Sequence, residues 1–473
     1  MRYLIITFCL LVTFSSNAQE QLGLRTDNYS GIHGSLLNPA HNVNSKLSWD
    51  INLVGLGLSA HTNYGFIENS NVFHALRNAD QVVLREDIEN SPAPNQLVAD
   101  FYRNNRLKYL TVFGNVMGPS FMVKLKNGHS FGLFTNVRTA FSTHDIPAVL
   151  NYTTFFQTPF NTFVDVDAFK ISAMVWSEVG LNYAARIDTD DGYLGIGGNL
   201  KFINAFDAFY MNTKRLIPTA QIPGDTLLFQ SPQLNYGVTK SNLEGDNLGP
   251  KTNGFGVGVD LGVTYVFEGD ESHYKWKIGA SLLDLGQIEL SRNAEEHIIQ
   301  SDSLIAFPSN QLEGISNQER IYLLSEQGLG DSIASLNSNN FRLGLPGAFS
   351  LQGDYKFAPY FYVSGVWVQR IPMGENSLRR NNLVAVTPRF SHRWFGAYLP
   401  ISLLNYQKVN VGAALRIAFL TIGSDDIGSF YGKRNLDSTD FYVALKINPF
   451  DLNLNWGNGG KRSNRKGVKC YEF

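Results

Sequence analysis

The chain has 473 residues, a net charge of −2, 17% charged residues and 13% aromatic residues. The near-neutral balance offers no global field for nucleic acid, and the charged fraction is below the quarter usual in soluble domains. After the N-terminus no run of about 18 apolar residues occurs, which excludes membrane-spanning helices but not a barrel, whose strands need only about 9–11 residues each.

Arg2, the apolar run Leu4–Phe14 and the small residues Ser16-Asn17-Ala18 form a secretory signal, so residues 1–18 are expected to be cleaved and the chain exported through the Sec pathway. Cys9 goes with the signal; Cys470 then remains alone, and no intramolecular disulfide can form. Residues 19–45 are rich in Gly, Asn and Ser, and Asn38-Pro39 is a turn signal. A flexible periplasmic leader is one reading of this stretch.

Alternation begins at Leu47–Leu53, where Leu47, Trp49, Ile51 and Leu53 share one face and Ser48, Asp50 and Asn52 the other. A long polar connection follows, with a short helix expected within Asn71–Ile88. Tyr109–Lys126 reads as one long strand or two short ones, because Gly118-Pro119 interrupts it. Asn127-Gly128 is a strong hairpin signal into His129–Phe141. In Ala173–Ile187, Val175, Val179, Leu181, Tyr183 and Ile187 oppose Trp176, Glu178, Asn182 and Arg186. Leu194–Phe202 follows a short turn.

Asn253–Phe267 reads NGFGVGVDLGVTYVF, and its glycines raise the question of a phosphate-binding loop. The period of two answers it. Phe255, Val257, Val259, Leu261, Val263, Tyr265 and Phe267 alternate with Gly254, Gly256, Gly258, Asp260, Gly262 and Thr264, which is a strand and not a loop leading into a helix. Tyr274–Leu282 puts Tyr274, Trp276 and Ile278 opposite Lys275 and Lys277, and Ala348–Tyr355 opposes Phe349, Leu351 and Tyr355 with Ser350, Gln352 and Asp354. Tyr360–Gln369, Leu383–Ser391, Trp394–Leu403, Val409–Leu415, Phe419–Asp425 and Phe441–Ile447 complete about fourteen strands.

Short connections such as 188–192, 268–272 and 357–359 alternate with long ones at 66–107, 142–168, 207–252 and 287–341. An even strand count with loops sorted by length predicts an all-β, closed antiparallel transmembrane β-barrel of residues 46–448 in the outer membrane of a Gram-negative cell. Both termini then lie on the periplasmic side, including a basic tail over residues 449–473. The apolar stripes face lipid, and the small and polar faces point inward.

The element LNPA at Leu37–Ala40 resembles the Asn-Pro-Ala of the N-terminal hatch in FadL-like long-chain fatty-acid transporters, and is similar to that of the PorV and PorP/SprF barrels of Bacteroidota type IX secretion. GFGVGVDLGVTYVF with SLLDLG, WSEVGLNYAARI with LGIGGNLKFI, and LPGAFSLQGDYKF resemble strand pairs of that superfamily. Most of the chain resembles a Bacteroidota outer-membrane family of unknown function within it. The resemblance implies a fourteen-stranded barrel and makes residues 19–45 a plug or hatch, with Asn38, Pro39 and Ala40 as its gate element.

Asp50, Asn52, Glu178, Arg186, Asp260, Lys275, Lys277 and Asp354 fall on the inward register. They either meet a polar or amphipathic cargo or neutralise one another across the lumen, as charges inside barrels ordinarily do. His33 and His41 lie eight residues apart, and no spacing matches a metal site. Ser391-His392 is a poor nucleophile–base pair because strand neighbours face opposite ways. No catalytic residue, cofactor or metal is expected. Trp49, Trp276 and Trp394 suit the interfacial girdles; Trp176 points inward, toward the plug. The functions that follow are transport or binding of a hydrophobic or amphipathic small molecule, docking of an envelope protein partner, or a porin; outer-membrane lipid is the surrounding solvent, and nucleic acid is not a partner.

Overall fold

The computed structural model describes residues 20–449 except 86–87, 89–91, 94, 151–157, 215–216, 224–225, 241–249, 268–273, 309–310 and 312–316. The signal sequence and the basic tail therefore lie outside the described residues, as does the turn at 268–272.

Fourteen strands form one closed antiparallel barrel. Its members in chain order are Trp49–Thr62, 110–124, His129–His144, Lys170–Thr189, Gly192–Thr213, Gly254–Phe267, Trp276–Leu290, 341–358, Phe361–Arg370, Leu383–Ser391, 395–404, 408–417, Leu420–Ser424 and Ser438–Ile447. Each pairs with the next, and closure comes from the first and last: Ile51 lies opposite Ile447 and His61 opposite Ser438. Four members are broken, at Gly118-Pro119, Leu345-Pro346-Gly347, Leu399-Pro400 and Gly412. Three of the breaks contain proline, which cannot donate to the ladder.

The alternation sorts side chains as the sequence pattern requires. Phe255, Val257, Leu261 and Val263 are 59, 50, 50 and 44% exposed, whereas Gly258, Asp260, Gly262 and Thr264 are buried. Exposed apolar side chains on one face of a closed sheet mark that face for hydrocarbon. Trp49, Trp276 and Trp367 are also exposed on the outside, and Trp276 stacks on Tyr355 at 4.1 Å.

Two registers differ from the expected ones. A bulge between Asn52 and Val54 leaves both Leu53 and Val54 outside and restarts the alternation one residue out of step. Farther along, the strand expected from Tyr274 begins at Trp276. Tyr274 is buried and Lys275, expected inward, is exposed in the bend before the strand.

One rim carries tight turns: Asp190-Asp191 joins Thr189 to Gly192, and Gly128 has a positive φ of 81°. The opposite rim carries the long connections. Two four-stranded sheets build on it, one from Val164–Val166, Ile217–Ile222, Thr226–Gln230 and Leu304–Pro308, the other from Gly65–Ser70, Val82–Leu84, Leu97–Phe101 and Arg434–Leu436. The helix expected within Asn71–Ile88 is confined to Val72–Arg77, capped by the Asn71 side chain accepting from the His74 N–H at 2.9 Å. Between Leu404 and Lys408 the connection on this rim is only residues 405–407, so length does not sort every loop.

Leu261→Arg puts a charge on the outer face and should destabilise the folded barrel in lipid by about 2–4 kcal/mol near the bilayer centre. Leu261→Ala, at the same position, places no charge in lipid and is the control. Denaturant titration in vesicles checks this; an equal or smaller loss for Leu261→Arg would contradict the assigned outer face.

Candidate functional site

The barrel interior is occupied by residues 20–47, nearly all of them buried. This segment folds into three short pieces, Leu22–Arg25, Gly31–Leu36 and His41–Asn44, too short to be stable alone. What holds them is the wall. The Ile32 N–H donates to Asp50 at 3.1 Å, and His33 Nε2 bonds Asn52 at 2.8 Å. Gln21 donates to Asn115 at 2.9 Å, Asn42 to Asn182 at 2.6 Å and Asn44 to Thr264 at 2.7 Å. Ser281 donates to the Leu37 carbonyl at 2.7 Å, Ser391 to Asp27 at 2.7 Å, and Lys446 to the Tyr29 carbonyl at 2.7 Å. These partners come from strands all around the barrel.

Asn38, Pro39 and Ala40 lie against a wall of glycines. The Asn38 amide donates to the Val263 carbonyl at 3.0 Å and to Gln352 at 2.9 Å, and its own oxygen accepts from the Ala40 N–H at 3.0 Å. A Cβ at Gly262 would stand 2.2 Å from Asn38 Oδ1, and one at Gly197 would stand 2.7 Å from the Pro39 backbone. The glycines of the inner face thus leave room for this turn, where a side chain would displace it.

Two charged groupings surround the segment. In the first, Glu20 takes both donors of Arg380 at 2.8 and 2.9 Å, Arg380 reaches Asp284 at 3.3 Å, and Asp284 also binds Arg138 at 2.8 Å and Lys201 at 2.6 Å. Lys201 meets Asp260 at 2.6 Å, and Glu178 sits 3.5 Å from Arg138. In the second, Asp27 accepts from Arg416 at 2.8 Å and lies 3.6 Å from Arg389, which binds Asp354 at 2.5 Å. Burial alone would raise the Asp27 pKa; Arg416 and Arg389 outweigh it and hold the carboxyl well below the ordinary range. Burial pushes His33 and His41 down to about 3, so both are neutral near pH 7.

Next to the first grouping the interior becomes apolar. Phe113, Met174, Trp176, Ile203, Tyr210, Ile288, Phe341, Leu343 and Leu345 form one buried cluster, and Leu378 joins it. Leu378 belongs to residues 371–382, a connection that folds inward and also supplies Arg380; Arg379, Asn381 and Asn382 beside them are buried too. Trp176 marks the boundary, with Arg138 stacked 4.9 Å above its ring and its indole N–H donating to Glu178 at 3.3 Å.

Of the residues singled out by sequence, Asp50, Asn52, Glu178, Asp260, Lys277 and Asp354 are buried on the inner face. Arg186 is at the rim, paired with Asp188 at 2.6 Å and stacked on Tyr193 at 4.0 Å. Lys275 is not inward at all. Trp176 packs in the apolar cluster and against Arg138. Ser391 is bonded to Asp27, and His392 faces the rings of Tyr360 and Phe390. Glu20, Asp27, Arg138, Lys201, Asp284, Arg380, Arg389 and Arg416 were not singled out. Arg138, Lys201, Arg389 and Arg416 each occupy an inward place within an alternating strand, so the register rule that found Asp260 applies to them equally. Among the described residues no three His, Cys, Asp or Glu side chains gather as a metal cluster.

The chain is similar in structure to a deletion mutant of the monoaromatic hydrocarbon channel TodX, at 12% identity, covering 92% of this chain and 96% of that one with a TM-score of 0.42. It is also similar to the P. putida toluene transporter TodX (9% identity, 89% and 94% covered, TM-score 0.40) and to a Pseudomonas aeruginosa FadL homologue (9% identity, 91% and 97% covered, TM-score 0.22). No curated protein matches. The model of a family of unknown function, DUF5723, matches residues 39–425, from within the Asn-Pro-Ala turn to the end of the thirteenth strand, and the chain belongs to that family.

Proposed function

We propose that this protein is an outer-membrane barrel that binds or moves a hydrophobic or amphipathic small molecule, with residues 20–47 as its plug. The observation that carries the reading is the division of the interior into an apolar cluster and an adjoining charged layer, meeting at Trp176. An amphipathic molecule would place its apolar part where Leu378 now sits and its polar end against Arg138 and Arg380. The plug is held by hydrogen bonds and ion pairs and by Leu22, Leu24, Ile32, Leu37 and Leu47, which pack against apolar residues of the wall.

A second reading has its own observation. The connections on the long-loop rim expose Phe73, Leu76 and Leu107 beside two small sheets, and exposed large apolar side chains grouped on a loop layer favour docking of an envelope protein. Purification in mild detergent would then recover a stoichiometric partner.

Reconstituted protein should bind a long-chain amphiphile and quench the buried Trp176. Leu378→Ala should enlarge the site and strengthen binding of a bulkier ligand, whereas Trp176→Ala should weaken binding by about tenfold. Binding unchanged in both variants would count against the interior site.

Gly262→Leu drives a side chain into Asn38 and should unseat the turn. With Ala40→Cys in a Cys470→Ser background, a membrane-impermeant thiol reagent should label Gly262→Leu protein quickly and the parent slowly. Equal rates would show that residue 40 is not seated against the wall.

Acid should have the same effect. A released histidine titrates near 6.5 and the seated pair near 3, so the released form binds more protons and gains on the seated form as pH falls through that window. Labelling at residue 40 should accelerate below about pH 6.5, and His33→Asn with His41→Asn should flatten the dependence. A profile unchanged by the double substitution would assign the effect to other groups.

A further inference from the structure

We propose that the junction between the N-terminal segment and the last two barrel strands is a calcium site. Two carboxylates meet there, the half-buried Asp425 just after Leu420–Ser424 and the buried Asp440 within Ser438–Ile447. Asp440 accepts from the Asp425 backbone N–H at 2.6 Å. Asp425 accepts from the Leu22 N–H at 3.0 Å and from the Tyr442 hydroxyl at 3.1 Å, and that hydroxyl accepts from the Gly23 N–H at 3.0 Å.

Among the described residues, neither carboxylate has an ion-pair partner within 4.0 Å. Their neighbours differ: Asp426 is paired with Arg434 at 2.6 Å, and Asp437 with Lys408. Two carboxylates held side by side without a cation need a positive partner, a proton or a metal ion, to offset their repulsion.

There is space for it. Asp425 and Asp440 line a cavity of about 30 Å³, room for one water molecule or one ion. Asn410 lines the same cavity; it is 3% exposed, and its Oδ1 has no hydrogen-bond partner. An amide oxygen buried without a donor beside two unpaired carboxylates is an acceptor set awaiting a cation. Ser402 adds a hydroxyl, and Glu20 borders the space while both its oxygens are engaged by Arg380.

The donors are hard oxygens. One histidine, His61, lines the cavity and no cysteine does, which is not a zinc set. Calcium takes oxygen ligands in irregular arrangements, whereas magnesium demands an octahedron and keeps several waters, for which the cavity is too small. A bound calcium would fix Asp425 and Asp440, and through them the Leu22 and Gly23 amides, tightening the seat of the N-terminal segment. The inference does not depend on transport, since its readout is bound metal.

The test uses the full-length protein in detergent, stripped with a chelator and titrated with calcium chloride. Calorimetry and metal analysis should give one calcium per chain, with a rise of several degrees in melting temperature. Asp440→Asn and Asn410→Ala should each weaken binding by about tenfold or more. The site is overturned by absence of stoichiometric calcium, by wild-type affinity in both variants, or by an equal response to magnesium. It is also overturned if stabilisation follows acidification identically with and without calcium, which would mean a proton shared by the two carboxylates. Should Asp440→Asn fail to fold, the neutral Asn410→Ala and the metal content of the wild type decide.

Discussion

In hydrocarbon every backbone N–H and C=O must find a partner within the protein, and a strand can meet that demand only if the sheet has no edge. The pairing of Trp49–Thr62 with Ser438–Ile447 removes the edge here. Everything else in the molecule follows from it. A closed sheet has an inside, the period of two divides each strand between inside and lipid, and the apolar half of each strand is committed outward. The interior must then be stabilised by whatever polar, small and aromatic side chains remain.

Those remainders explain how the N-terminal segment is held. Glycines at 195, 197, 262 and 279 thin the wall on one side, and the Asn-Pro-Ala turn fits against them. Asparagines and serines on other strands bond its backbone. Buried charges are tolerated because most have opposite partners: Glu20, Asp284, Arg138, Lys201 and Arg380 form one connected set, in which losing a single member would leave an uncompensated charge worth about 3–5 kcal/mol. The inward connection 371–382 meets the N-terminal segment at Arg380 and Glu20, so the two fillings of the barrel touch through one bidentate pair. The apolar cluster around Trp176 and Phe341 lies on the connection's side of that contact.

The barrel was legible in the sequence because lipid enforces the alternation without exception over long stretches, as in Phe255–Phe267. Where the alternation slips, reading failed locally. The bulge at Leu53 and Val54 reverses parity with no turn residue to announce it, and Lys275 sits before its strand starts. Broken strands were readable where proline stood in them. The inner side was harder. Asp50, Asn52, Glu178, Asp260, Lys277 and Asp354 could be placed inward by parity, but what each touches depends on which strands face one another across the lumen, and pattern carries no such information. Glu20 and Arg380 illustrate this best: 360 residues separate them, and neither lies in a strand.

Closure is also the claim most open to direct attack. Leu58 and Phe441 face each other across the seam between the first and last strands. With both replaced by cysteine in a Cys470→Ser background, and the protein folded into lipid vesicles, mild oxidation should form an intramolecular disulfide while the folded, heat-modifiable form persists. Absence of that disulfide, with a control pair across the adjacent seam at Leu58 and Gly114 forming one under the same conditions, would mean that the ends of the sheet do not join.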